Sequence, residues 1–180
     1  PVSAIIFTHS HIDHFGGIEG VLPSDPAAAA KIPIVAPRGF MEEATSENVL
    51  AGVAMGRRAA FRYGLPLPRS PTGHVDTGLG KAPAHEGTVS IREPTILVDR
   101  TPQDIELDGV KFVFQYTPES EAPAELAFYM PDHKAWCGAE IVSHTMHNLY
   151  TLRGAMVRIA VKWGGYIDDA TRRFPDMEVV

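Results

Sequence analysis

A chain of 180 residues that is 44% hydrophobic and 21% charged has the composition of an ordinary globular domain, large enough to bury a core. Its 16 Lys and Arg stand against 22 Asp and Glu; the resulting charge of −6 argues against a nucleic-acid partner, which needs a basic footprint, and against an anionic membrane surface. The lone Cys137 leaves no internal disulfide framework and reads as a small buried residue, and no stretch approaches the roughly 20 apolar residues of a membrane span, so no stable membrane insertion is expected. A small anionic substrate would need a local positive centre, which a bound dication supplies.

Residues 3–8 read as a short buried strand, and 34–36, bounded by Pro33 and Pro37, as a second. The proline-free run 39–63, rich in Ala, Met, Glu and Arg, predicts helix in two pieces. Residues 65–88 carry Pro66, Pro68, Pro71 and Pro83 and several glycines, so they predict a long irregular loop of the kind that often serves function. A strand series follows: 95–98, a hairpin over 105–114 turning at Asp108-Gly109, then 124–130 and 134–138 joined by a turn at 131–133. The tail predicts two helical segments, 148–160 and 161–174, with Trp163, Ile167 and Ala170 on the core side of the second. Residues 177–180 begin another strand, and the chain reads as part of a longer one, cut at both ends. Helix, strands and helices together predict an α/β or α+β domain, its sheets covered by helices.

Directly after the first strand stands THSHIDHFGG, residues 8–17. In an extended segment residues i and i+2 point the same way, so His9 and His11 can grip one ion. A turn into helix, permitted by Gly16 and Gly17, swings Asp13 and His14 towards a second position beside it. Imidazole with carboxylate suits zinc, and less selectively iron or manganese. Further ligands must come from elsewhere. Glu121, before the 124–130 strand, and Glu140, after the 134–138 strand, fall at one edge of the sheet if those strands pair antiparallel. Glu125 is a decoy inside the strand, a core-edge or supporting group. His85 and His133 read as exposed, His74 as facing the cleft, and His144 and His147 as supporting groups near the site. Gly78-Leu79-Gly80-Lys81 fails as a phosphate loop, because Ala82 stands where Ser or Thr is required.

The motif at 9–14 resembles that of the metallo-β-lactamase superfamily. GHVDTGLGK, EAPAELAFYMPDHKAWCGAE and HTMHNLYTLRGAMVR resemble its alkyl sulfatases, which hydrolyse dodecyl sulfate and related esters, and the likeness runs from Ala4 to Val180. It implies an αββα sandwich, here a partial catalytic domain over 1–180, and two zinc ions. His9, His11 and Glu121 would hold one ion, Asp13 and His14 the other, with Glu140 between them; Asp13 is also the candidate catalytic carboxylate. Asn148 and Arg153 would contact the sulfate, and the loop 72–80 would line the substrate entrance. Leu65, Leu67, Leu79, Met146 and Tyr150 are candidates for an apolar channel that takes the alkyl tail.

Two departures stand out. Alkyl sulfatases often carry Asn after the bridging Glu, where this chain has Ile141, and they draw a further His from a segment beyond the equivalent of Val180. Their first sandwich strands and their C-terminal dimerisation and sterol-carrier-like regions also lie outside this stretch; a homodimer is the expectation for the whole protein. Members are exported or cytosolic, so the resemblance fixes no compartment. The alternatives are another hydrolase of the superfamily (lactonase, thioesterase, β-lactamase or phosphodiesterase) and a non-catalytic metal-binding fragment.

Overall fold

A computed structural model of the chain describes residues 1–77, 87–143 and 147–180. Two sheets organise it. The first is parallel, β1 (Ile5–Ile6), β2 (Ile34–Pro37) and β3 (Ile96–Val98), with β2 central and Val35 opposite both Ile6 and Ile96. The second is an antiparallel meander, β4 (Gln103–Leu107), β5 (Val110–Tyr116), β6 (Leu126–Met130) and β7 (Ala135–Cys137), in sequence order. Every residue of β2 is buried, as expected for a parallel strand covered on both faces.

Strand alternation sorts the side chains into three apolar layers. Ile34 and Ala36 point to one side of β2, where Phe7, Phe15, Ile18, Phe40 and Ala44 bring α1 (Ile12–Phe15) and α3 (Phe40–Thr45) against the sheet. Val35 points to the other, into a layer shared with Val98, Leu107, Phe114 and Leu126 between the two sheets. Ala127 and Tyr129 face outward from the second sheet onto Trp136, Ile141, Ala170 and Phe174, and so seat α5 (Ala160–Arg173). The order helix, sheet, sheet, helix is the αββα sandwich. Trp163 and Ile167 pack with Ala170 on the buried side of α5, in keeping with their helical spacing.

Asp108 (φ 51°) and Gly109 (φ 78°) are consecutive left-handed residues, the hairpin turn that an Asp-Gly pair provides. β6 and β7 pair antiparallel through a 3₁₀ turn at Pro131–His133, with His133 exposed. Near the chain's end Val179 bridges to Ala135.

Several expectations need correction. The first strand is two residues long rather than six, although Phe7 N–H still donates to the Val35 carbonyl (2.8 Å). Helix over 39–63 comes in three pieces, because a π-helical turn, Ser46–Leu50, separates α3 from α4 (Gly52–Arg62). Residues 148–159 form no helix: Gly154 sits at φ 107°, Arg158 N–H donates to Leu149, and Ile159 N–H to Glu119. Cys137 is half-buried rather than buried. Gly16 and Gly17 are not in left-handed conformations; Gly16 is needed for space, since a Cβ there would lie 2.7 Å from the Ile12 carbonyl oxygen. The 78–81 segment, Leu79, His85, His144 and Met146 lie outside the described residues.

Ile141, where alkyl sulfatases often carry Asn, is fully buried among aromatic neighbours, a place where an amide would be left without partners. Ile141→Ala should lower the unfolding free energy by about 3 kcal/mol, read from the urea midpoint. An unchanged midpoint would show that this apolar layer does not hold the turn after β7.

Candidate metal centre

The site is built where the two sheets meet. After β1 the backbone runs antiparallel to the residues leading into β6: Leu126 N–H donates to Thr8 (2.8 Å), Ser10 N–H donates to Ala124 (3.2 Å), and His9 bridges Glu125. This pairing carries the histidine motif to the loop that bears Glu121. Glu140 arrives from the end of β7, as the hairpin expectation required.

His9, His11, Glu121 and Glu140 each offer a donor atom within 4.8 Å of the others. His9 is fully buried; its Nδ1 lies 3.0 Å from Thr8 Oγ1, so Nε2 faces the cluster, 3.4 Å from Glu140 Oε2 and 3.8 Å from Glu121 Oε2. His11 Nδ1 approaches Glu121 Oε2 to 2.9 Å, without hydrogen-bond alignment, and Glu140 Oε2 to 3.8 Å. His14 stands outside the tight group of four but touches it: its Nε2 is 3.4 Å from Glu140 Oε1, and its ring centroid is 4.1 Å from that of His9. Asp13 is exposed, and its Oδ2 is 3.5 Å from His14 Nε2. The two oxygens of Glu140 are thus divided, one towards His9 and His11 and the other towards His14.

Charges here are strongly coupled. The three imidazoles, His11 first, hold the Glu140 carboxyl far below the usual range. Burial lowers His11, but Glu121 and Glu140 outweigh it and push the ring up to about 9. His14 is raised by Glu140, whereas burial leaves His9 lowered. His9 Nε2 and Glu121 Oε2 are buried, face each other and have no hydrogen-bond partner. Two orphaned donors of these types, beside a second imidazole and a second carboxylate, fit a cation that takes nitrogen and oxygen ligands.

Two contributors, Arg158 and Glu47, escape a reading of the sequence, and a third, Glu125, takes the supporting role expected of it. Arg158 is buried; its Nη2 lies 2.5 Å from Glu121 Oε1, and its Nη1 donates to the Asn148 carbonyl (3.0 Å). It leaves Glu121 with only Oε2 facing the histidines. Glu125, one residue before β6, is a supporting group: its Oε2 accepts from the backbone N–H groups of Glu121 (2.8 Å) and Ala122 (2.9 Å) and from the Ser120 hydroxyl (2.7 Å). Burial nonetheless pushes its pKa up to about 7, against the lowering effect of those donors. Glu47, from the π-helical turn, lies 3.8 Å from His11 Nε2. Arg158 lies in the quoted HTMHNLYTLRGAMVR segment but matches no ligand spacing, and Glu47 looks like any polar helix residue.

The cluster opens into a cleft of about 640 Å³ whose walls include Asp13, Asn148, Arg153 and Arg158. Arg153 is on an irregular loop, with its carbonyl receiving Arg58 Nη1 (3.3 Å). Asn148 is exposed at the mouth, and His147 lines the wall with its ring edge-on to Trp163. Leu65, Leu67 and Tyr150 are on the surface and do not line the cleft; Tyr63, Ala139 and Val142 do. His74 is buried against Gly64 rather than facing the cleft.

The Metallo-beta-lactamase superfamily model matches residues 1–135. The chain is 47% identical over 174 residues to the alkyl/aryl-sulfatase BDS1 of Saccharomyces cerevisiae, covering 97% of this chain and 27% of that protein. It is 44% identical to a linear primary-alkylsulfatase of Pseudomonas sp., covering 98% and 26%. The solved stereoselective inverting sec-alkylsulfatase Pisa1 from Pseudomonas sp. superposes with a TM-score of 0.90 at 41% identity, over 100% of this chain and 29% of that one. The metallo-beta-lactamase IND-7, at 15% identity and a TM-score of 0.54, shares the fold. The chain spans 26–31% of the length of the curated relatives it matches.

Two outcomes are expected. Glu125→Gln keeps an oxygen for the three donors and should fold near normally, whereas Glu125→Ala should cost roughly 2–4 kcal/mol in thermal or urea unfolding. Equal stability of the two variants would remove Glu125 from the support of the Glu121 loop. His11→Ala should weaken zinc at least about tenfold in a chelator competition; full affinity in that variant would exclude His11 from the ligand set.

Proposed function

The chain belongs to the metallo-beta-lactamase superfamily, and on that premise we propose that it forms the metal-binding core of an enzyme that hydrolyses alkyl sulfate esters to alcohol and sulfate. His9, His11 and Glu121 would hold one zinc ion and Asp13 and His14 a second, with Glu140 placed between the two groups. The divided contacts of the Glu140 carboxylate, one oxygen towards each group of imidazoles, carry this reading. The identity of 42–47% to three sulfatases over nearly the whole chain supports the choice of ester.

Bound zinc supplies Lewis acidity, which neutralises charge on ester oxygens and acidifies water towards neutral pH. The remaining work falls to side chains. Arg153, on the cleft wall, offers a planar fork of N–H donors that can bind two sulfate oxygens at once. Asn148, at the mouth, adds a neutral donor. Arg158, also on the cleft wall, turns Nη2 to Glu121 and Nη1 to the Asn148 carbonyl, and so holds Glu121 in place. Asp13, exposed at the cleft, has a second carboxylate oxygen placed to accept a proton as water attacks. The cleft walls Tyr63, Ala139 and Val142 give the alkyl chain apolar surface close to the cluster.

Arg153→Ala should lower kcat/KM for dodecyl sulfate by about 10- to 100-fold, the worth of a charge-assisted contact, while zinc content stays unchanged. A panel of dodecyl sulfate, a lactone, a cephalosporin and a phosphodiester tests the ester class. Turnover of any of the others in preference to dodecyl sulfate would overturn the assignment.

A further inference from the structure

Glu47 has no part in the reading above, yet it stands between two groups that do. It projects from the π-helical turn Ser46–Leu50, largely shielded from solvent, with Oε2 3.8 Å from His11 Nε2 and Oε1 3.8 Å from Arg153 Nη2. Glu47 Oε1 and Arg153 Nε are both buried without a hydrogen-bond partner. The three residues share a hollow of about 230 Å³ that adjoins the main cleft, with Met55 and Ala59 as apolar lining. We propose that Glu47 is a positioning residue. One of its oxygens fixes His11 with Nε2 protonated and Nδ1 turned to the ligand cluster, and the other aims the Arg153 fork into the cleft.

Two physical facts favour this over a chance neighbour. A ligating imidazole is ordinarily oriented by an acceptor on its far nitrogen, and among the described residues Glu47 is the carboxylate in ion-pair range of that nitrogen, at 3.8 Å, since Glu121 and Glu140 face Nδ1. Second, a carboxylate beside an anion pocket repels the anion by simple electrostatics. Such a group is useful there only if the order it imposes on the arginine outweighs the repulsion. The two roles therefore predict opposite signs when the charge is removed.

The proposal rests on the reading of Arg153 as the sulfate contact, and inorganic sulfate titrated calorimetrically into the zinc-loaded protein separates the two. Arg153→Ala should weaken sulfate strongly. The isosteric Glu47→Gln should also weaken it, about tenfold, and should weaken zinc by a similar factor in a chelator competition. In an Arg153→Ala background Glu47→Gln should no longer weaken sulfate and should tighten it slightly, because only the relieved repulsion remains. Tighter sulfate binding by Glu47→Gln alone, or equal weakening in both backgrounds, would overturn the positioning role while leaving Arg153 as the anion contact. Sulfate affinity unchanged by Arg153→Ala would overturn the underlying reading and the positioning role with it. Unchanged zinc affinity in Glu47→Gln would overturn the hold on His11.

Discussion

Two backbone hydrogen bonds, Leu126 N–H to Thr8 and Ser10 N–H to Ala124, fix the geometry on which the site depends. They join the end of a parallel sheet to the start of an antiparallel strand, so segments more than a hundred residues apart present their side chains to one point. Without that seam the histidine motif would be a polar turn. With it, His9 is buried beside Glu125, and the Glu125 carboxylate in turn ties down the loop that carries Glu121. Main-chain pairing sets the position, and side chains then set the chemistry.

The cluster concentrates opposite charges in little solvent. Its carboxylates hold His11 and His14 above their ordinary values, and its imidazoles hold Glu140 below. A cation taken up here competes with protons for the same nitrogen and oxygen atoms, so its uptake releases protons. The Arg158 contact limits this competition: with Glu121 Oε1 engaged, only one oxygen of that carboxylate is offered to the histidines. Thr8 has a similar effect on His9 by occupying Nδ1.

Much of this was legible in the sequence because local rules governed it. Pro33 stands directly before β2 and Pro37 is its last residue, and Asp108-Gly109 sets a turn that needs two left-handed residues. Glu121 and Glu140 could be paired because a short turn between antiparallel strands forces their outer ends together. What escaped depends on distant contacts. Residues 148–159 have unexceptional helical composition, but their backbone donors are drawn to Leu149 and Glu119. Glu47 and Arg158 acquire meaning only from the groups opposite them in space, and no spacing rule reaches that far. Leu65, Leu67 and Tyr150 missed the cleft for a related reason, since an isolated Leu or Tyr does not reveal which surface it faces.

The π-helical turn between α3 and α4 has a consequence for how this region can vary. A residue added to or removed from an α-helix rotates everything beyond it by about 100°. The turn at Ser46–Leu50 absorbs such a misfit, pointing Glu47 inward while Val49 and Leu50 are left at the surface. The number of residues across this stretch therefore decides which side chain faces the cleft. Outward positions there can drift freely through many side chains, whereas the loss of one residue would turn a carboxylate away from the cleft and a hydrophobe into it.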